Sequence, residues 1–437
     1  MSTTMIGARI RTLALCLPWA LIAGSGPAPA DPGVALLGGE FQLNTFTSQN
    51  QSFPDVAVAP DGRAVAVWES VGQDNDGDAV VARYYDVDGS PVGDEFIVNS
   101  HTTNHQSQSS IEMAPDGSFI ILWRSSQQDG DGWGCYGQRF DPSGDRVGGE
   151  FLINGETTNN QENAFAAFDG DGNMMVVWES GEQDGSAGGI YGRAYDSAGA
   201  AGDEFRVNTT TSGWQNDVEI AAFPSGFVAV WESLNVDSDF RGVVYRRYAA
   251  DGTPLAGEQL ANVTEAGNQN NAVVAVQPDG TFLIVWESDG QDGSEATVIA
   301  RLFAPDGTPT SGEIQLNQTT AGDQEHLSVA VDGMGGYVVI WDGEAASGGS
   351  FDEIWGRRIL ANGTVVGDEF RVNTSTSNRQ VYPAIAAGGD GVLMAVWHSW
   401  TGDGSGTRSV GQRLWVTGLF SDGFESGNVS GWSQSVP

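Results

Sequence analysis

Seven times along the chain a short apolar run ends in a tryptophan: Trp68, Trp123, Trp178, Trp231, Trp286, Trp341 and Trp397, at intervals of 53 to 56 residues. A Glu opening a further short segment recurs in step, at Glu40, Glu95, Glu150, Glu204, Glu258, Glu313 and Glu369. Asn follows each Glu four residues later, and Gln eleven later. Within one unit the pattern predicts four short strands, at 54–59, 64–68, 80–85 and 95–98. Pro60-Asp61-Gly62 and Asp88-Gly89 supply tight-turn residues between them. After the first thirty residues nothing sustains a helical period. Seven four-strand units predict an all-β chain folded as a seven-bladed β-propeller of four-stranded blades.

Strand order within a blade also follows. The link after each Asn, such as 100–109, is polar and lacks hairpin chemistry, so it is expected to run from the outer edge of one blade to the centre of the next. The Glu-Phe strand is then outermost and the 54–59 type innermost. The chain would open with an outer strand at 40–44 and finish with the three strands it completes, which closes the ring and protects its edges. The propeller is expected over 40–416, after a short linker at 31–39 and before a tail at 417–437.

Composition narrows the class. Arg9 and Arg11 precede an apolar run from Leu13 to Ala23, and Ala28-Pro29-Ala30 offers a small-residue cleavage site. Residues 1–30 therefore read as a secretory signal peptide, and a secreted or cell-surface protein is expected. The run is too short to span a bilayer, so membrane insertion is not expected. The 57 acids stand against 19 bases, a net charge of −38, and every base is arginine. Such a surface repels phosphate backbones, which excludes nucleic acid as a partner. Beyond the signal only Cys135 remains, so packing alone must hold the fold, and a monomer is expected.

The unit resembles tandem repeats of large secreted bacterial proteins, which often accompany haemolysin-type calcium-binding repeats. The matching stretches are Glu369-Phe370-Arg371-Val372-Asn373-Thr374, Val176-Val177-Trp178-Glu179-Ser180 and Tyr136-Gly137-Gln138-Arg139-Phe140-Asp141. The resemblance covers about 40–416 and implies architecture and export, not a reaction. The Gly-Gly-x-Gly-x-Asp calcium repeats themselves are absent. The tail Phe420-Ser421-Asp422-Gly423-Phe424-Glu425-Ser426-Gly427 is similar to a C-terminal signature of exported bacterial proteins.

A residue present in every unit is more economically explained by blade construction than by one site. The seven Trp are expected between blades, and the Asn and Gln residues at the crossings, satisfying backbone groups. The recurring Arg83, Arg139, Arg193, Arg246, Arg301, Arg357 and Arg413 are expected to pair with blade carboxylates. The position after the Trp is acidic in five units (Glu69, Glu179, Glu232, Glu287, Asp342) but Arg124 in the second and His398 in the seventh. Those two units also carry an extra Trp in the next loop, Trp133 and Trp400. Glu69, Arg124, Trp133, His398 and Trp400 are thus candidates for one acidic, aromatic patch suited to a sugar ring; loop drift between duplicated units explains the same departures.

Asp74, Asp76 and Asp78 alternate as an oxygen cage for calcium requires, and Asp169 with Asp171 repeats that spacing. The same pattern is also a good hairpin turn. No nucleophile elbow, zinc pair or phosphate loop is present, so catalysis is not assigned. The leading reading is a binding protein for extracellular carbohydrate or a cell-surface protein. The alternatives are a glycoside hydrolase or lyase using paired carboxylates such as Glu69 with Glu179, and a purely structural surface protein.

Overall fold

Strands form where the pattern places them; most outrun the apolar run that marks them, while the outer strands Phe205–Arg206, Gln259–Leu260 and Ile314–Gln315 are shorter. The computed structural model describes residues 33–344, 352–388, 391–400 and 406–416. The expected signal peptide (1–30) and tail (417–437) lie outside the described residues. The first strand, β1, spans Val34–Gln42, so six residues ahead of Glu40 belong to the fold rather than to a linker. Blade 1 is β2 (Gln51–Val58), β3 (Ala64–Val71), β4 (Asp78–Tyr85) and β5 (Pro91–Ile97), antiparallel in chain order. Five further four-stranded sheets repeat it. The seventh is Gln380–Ala387, Val392–Ser399 and Arg408–Val416, with β1 on its outer edge. The protein is a seven-bladed β-propeller closed by its own N-terminal strand.

The seven Trp lie on the second strand of each blade and are at most 1% exposed. They pack into apolar clusters that join adjacent blades. The repeated Asn and Gln hold the crossings, bonded to each other at Asn99–Gln106, Asn154–Gln161, Asn208–Gln215 and Asn262–Gln269. In blade 2, Asn154 accepts the Cys135 N–H at 2.8 Å and donates to the Glu156 carbonyl and to Gln161. Gln161 in turn donates to the Thr158 carbonyl. The repeated Glu staples neighbours together: Glu95 accepts the N–H of Thr45 and Phe46, Glu150 that of Ser100, Glu313 those of Val263 and Thr264. Glu40 makes the same staple across the closure, to Thr374 and Ser375.

The arginines correct the expectation. Arg83, Arg246, Arg301 and Arg357 donate to backbone carbonyls, of Leu43, Val207, Ala261 and Leu316 in the preceding blade. Arg193 lies 3.9 Å from Glu204. Strand pairing also shows that Arg139 and Arg413 are one position out of step: Gln138 and Gln412 pair opposite Ile121 and Ala395, where Arg83 pairs opposite Ala66. A planar five-donor head suits carbonyls that lack ladder partners as well as it suits carboxylates.

Candidate functional site

Each inner strand starts at the repeated Gln and slips register two residues later; in β2 the break falls between Ser52 and Asp55. The bulged residues are Phe53, Gln108, Asn163, Asp217, Asn271, His326 and Tyr382, all with φ between 48° and 55°. Asn and Asp tolerate that left-handed backbone; Phe and Tyr adopt it rarely. A bulge re-aims its side chain, and Phe53, His326 and Tyr382 line the central channel, a cavity of about 630 Å³ enclosed by the seven inner strands.

Four of the five acids that follow a Trp brace these bulges. Glu69 accepts the Gln108 N–H, Glu179 that of Asp217, Glu287 that of His326 and Asp342 that of Tyr382, each across a blade boundary. Burial pushes their carboxyls up, Glu69 to about 7 and Glu179 and Glu287 to about 8. Glu69 and Glu179 are therefore struts, each with its Oε1 committed to a backbone N–H of the next blade.

The channel holds three other carboxyls. Asp55 accepts the Ile111 N–H at 2.9 Å, and burial raises it to about 6. Glu219 accepts the Val274 N–H, and burial with the charge of Asp55 raises it to about 8. Glu112 has no hydrogen bond to lower it; burial, Asp55 and Glu219 push it up to about 8. Counted from the repeated Gln, Glu112 stands where the other six strands have Ala, and Asp55 and Glu219 where they have Ser, Phe, Val or Ala. The test of departure from the repeat, applied to inner strands, would have found all three.

The five candidates of the expected patch fall into two groups. Arg124 lies under Trp133, 4.3 Å from the ring centre, and is paired with Glu162 and Ser107. With Glu69 and Phe53 it lines a second cavity, of about 340 Å³, shared by blades 1, 2 and 3. At the junction of blades 7 and 1, the rings of His398 and Trp400 are parallel with centres 6.0 Å apart. Phe53 links the groups, packing on His398 at 5.9 Å and on Tyr382 at 4.7 Å. Tyr382 continues to His326 at 4.0 Å, and His326 pairs with Asp342 at 2.9 Å. Phe53, His326 and Tyr382 were not among the candidates, because a bulge leaves no mark in an alternating pattern. The result is an aromatic arc on blades 6, 7 and 1, with Trp400 50% and Phe53 42% exposed. Amides and one acid occupy the bulges of blades 2 to 5.

The aspartates singled out for calcium close turns. Asp74 accepts from the Asp76 N–H and Asn99, Asp76 from the Asn104 N–H, and Asp78 meets His105 at 2.8 Å. Asp169 accepts the N–H groups of Asp171 and Asn173, and no hydrogen bond is recorded to the Asp171 carboxylate. Among the described residues no three His, Cys, Asp or Glu side chains are gathered as a metal ion requires. Nor does any helix among them have the length and apolarity to cross a membrane.

No family model and no curated sequence matches the chain. Solved structures do. The likeness is one of fold. A protein of unknown function from Dyadobacter fermentans DSM 18053 aligns with TM-score 0.54 at 11% identity, over 88% of this chain and all of the other. The polysaccharide lyase Uly1 aligns with TM-score 0.53 at 10% identity, over 87% of this chain and all of that one. A PL25 ulvan lyase bound to -[GlcA(1-4)Rha3S]- aligns with TM-score 0.51 at 8% identity, over 84% and 95%.

Proposed function

We propose that this propeller is an exported carbohydrate-active protein that seats a saccharide on the aromatic arc and hydrolyses it with the channel carboxyls. The observation carrying the proposal is the trio Asp55, Glu112 and Glu219 in one cavity, with acidities pushed apart. At neutral pH Asp55 is ionised and accepts a proton from the attacking water. Glu112 or Glu219, still protonated, gives one to the leaving glycosidic oxygen as water adds to the anomeric carbon. Propellers of similar fold described as polysaccharide lyases support the substrate class. Eliminating a uronate calls for a free cation to neutralise its carboxylate, whereas His326 and Arg124 are held by Asp342 and Glu162. Hydrolysis of an uncharged chain is the better fit.

The test is release of reducing ends from a polysaccharide panel. Wild type is expected to turn over a neutral polymer, and Glu112→Gln or Asp55→Asn to lose at least about a hundredfold in kcat with binding retained. Release of unsaturated uronates would instead make the protein a lyase. Saturable tryptophan quenching without turnover would return it to a binding protein.

A further inference from the structure

Four of the five acids after the Trp accept the N–H of the next blade's bulge, and blade 7 has no such acid at that position. His398 occupies it, paired opposite Val381 as Glu69 is paired opposite Ser52. The bulge it faces is Phe53, whose φ of 48° matches the other six. By the pattern of those four junctions, the Phe53 N–H is the group that would face an imidazole here in place of a carboxylate. His398 is 6% exposed, and neither ring nitrogen has a hydrogen-bond partner. The other exception, Arg124, is satisfied by Glu162 and Ser107. Only at the junction of blades 7 and 1, among the described residues, does the substitution leave the polar atoms of the new side chain unpaired.

Around these atoms the surface is aromatic and half open: Phe53, Tyr382 and Trp400 pack on the His398 ring and are each more than a third exposed. We propose that His398 and the Phe53 N–H form a hydroxyl-binding notch that fixes one hydroxyl of a neutral sugar ring stacked on Trp400. The complementarity is specific. Burial, then the charge of Arg379, holds His398 down to about 4, so the ring is neutral at ordinary pH, with one donor and one acceptor. Beside it stands a further donor, the Phe53 N–H. A hydroxyl does both at once, giving its proton to the bare ring nitrogen and accepting the Phe53 N–H. An ammonium has nothing to offer the Phe53 N–H, and a carboxylate nothing to donate to the bare imidazole nitrogen. Entry requires the Trp400 side chain to swing off the ring, a movement open to half-exposed side chains on a fast timescale.

This proposal rests on the carbohydrate reading, and one experiment separates the two. Full-length protein is titrated with a neutral glucan, mannan and arabinan, a polyuronate and a glucosamine polymer, read by tryptophan fluorescence and by ¹⁵N signals of the histidine rings. His398→Glu restores the acid of the other blades and is expected to fold, to engage the Phe53 N–H and to weaken neutral-glycan binding at least tenfold. His398→Phe, which keeps the ring packing, is expected to lose as much and serves if the Glu variant does not fold. In wild type the His398 nitrogens should shift on saturation while those of His101 and His105 stay. Unchanged affinity in a folded variant overturns the notch and leaves the carbohydrate reading standing. Binding of only the charged polymers overturns the neutral-hydroxyl assignment. No binding of any polymer to wild type overturns both.

Discussion

Glu112 shows how one side chain sets a pH response. Its carboxyl titrates near 4.5 in an unfolded chain and at about 8 in the channel. Below pH 4.5 both states hold the proton and Glu112 costs nothing. Between 4.5 and 8 the unfolded chain releases it and the folded chain does not, so stability falls as pH rises. Glu219, Glu179 and Glu287 add in the same direction. The melting temperature is therefore expected to fall from pH 4.5 to pH 8, and Glu112→Gln to recover several degrees at pH 8 but none at pH 4.5. Equal effects at the two pH values would contradict the assignment. None of these shifts was legible from composition, which counts acids without saying which become enclosed. Glu112 is nonetheless visible in the sequence, as the lone acid among seven aligned positions.

At the scale of the element, the crossing latch ties one blade to the next. Replacing Asn154 with Ala strands the buried Cys135 N–H and the Gln161 amide oxygen together. An unsatisfied buried group costs about 1–3 kcal/mol, so Asn154→Ala is expected to lower stability by about 2–4 kcal/mol, measured by urea unfolding. A loss below about 0.5 kcal/mol would mean that the latch is ornamental. The Asn and Gln were readable as scaffold because they recur without exception. The bulge two residues beyond the Gln was not, since the Gln sits in register and the slip falls on a position whose residue type varies from Phe to Asp. Arg139 was misplaced for a related reason: spacing from the Trp differs by one residue in that blade, and only pairing reveals it.

For the whole molecule, the number of blades, the strand order and the closure were all legible, because a ring can be counted from its repeat and an unfinished blade at one end implies the missing strand at the other. The position of the site was not, because a propeller's axis emerges only when seven separate segments are brought together. The closure can be tested directly. Removing residues 33–44 deletes β1 and uncovers the Arg408–Val416 edge, along with the Glu40 contact to Thr374 and Ser375. The truncated chain is expected to aggregate or to lose cooperative unfolding. A monomer with an unchanged transition would show that the ring does not depend on its clasp.

The same clasp sets an order of events during biosynthesis. Val34–Gln42 leaves the ribosome before any other strand, yet its partner Arg408–Val416 is made last. The opening segment must wait through the synthesis of nearly the entire polypeptide with a bare hydrogen-bonding edge, and an abundance of like charge along the nascent chain keeps such waiting molecules apart. The ring can be completed only after Arg408–Val416 has emerged, so a chain interrupted before that point is left with an unclosed edge.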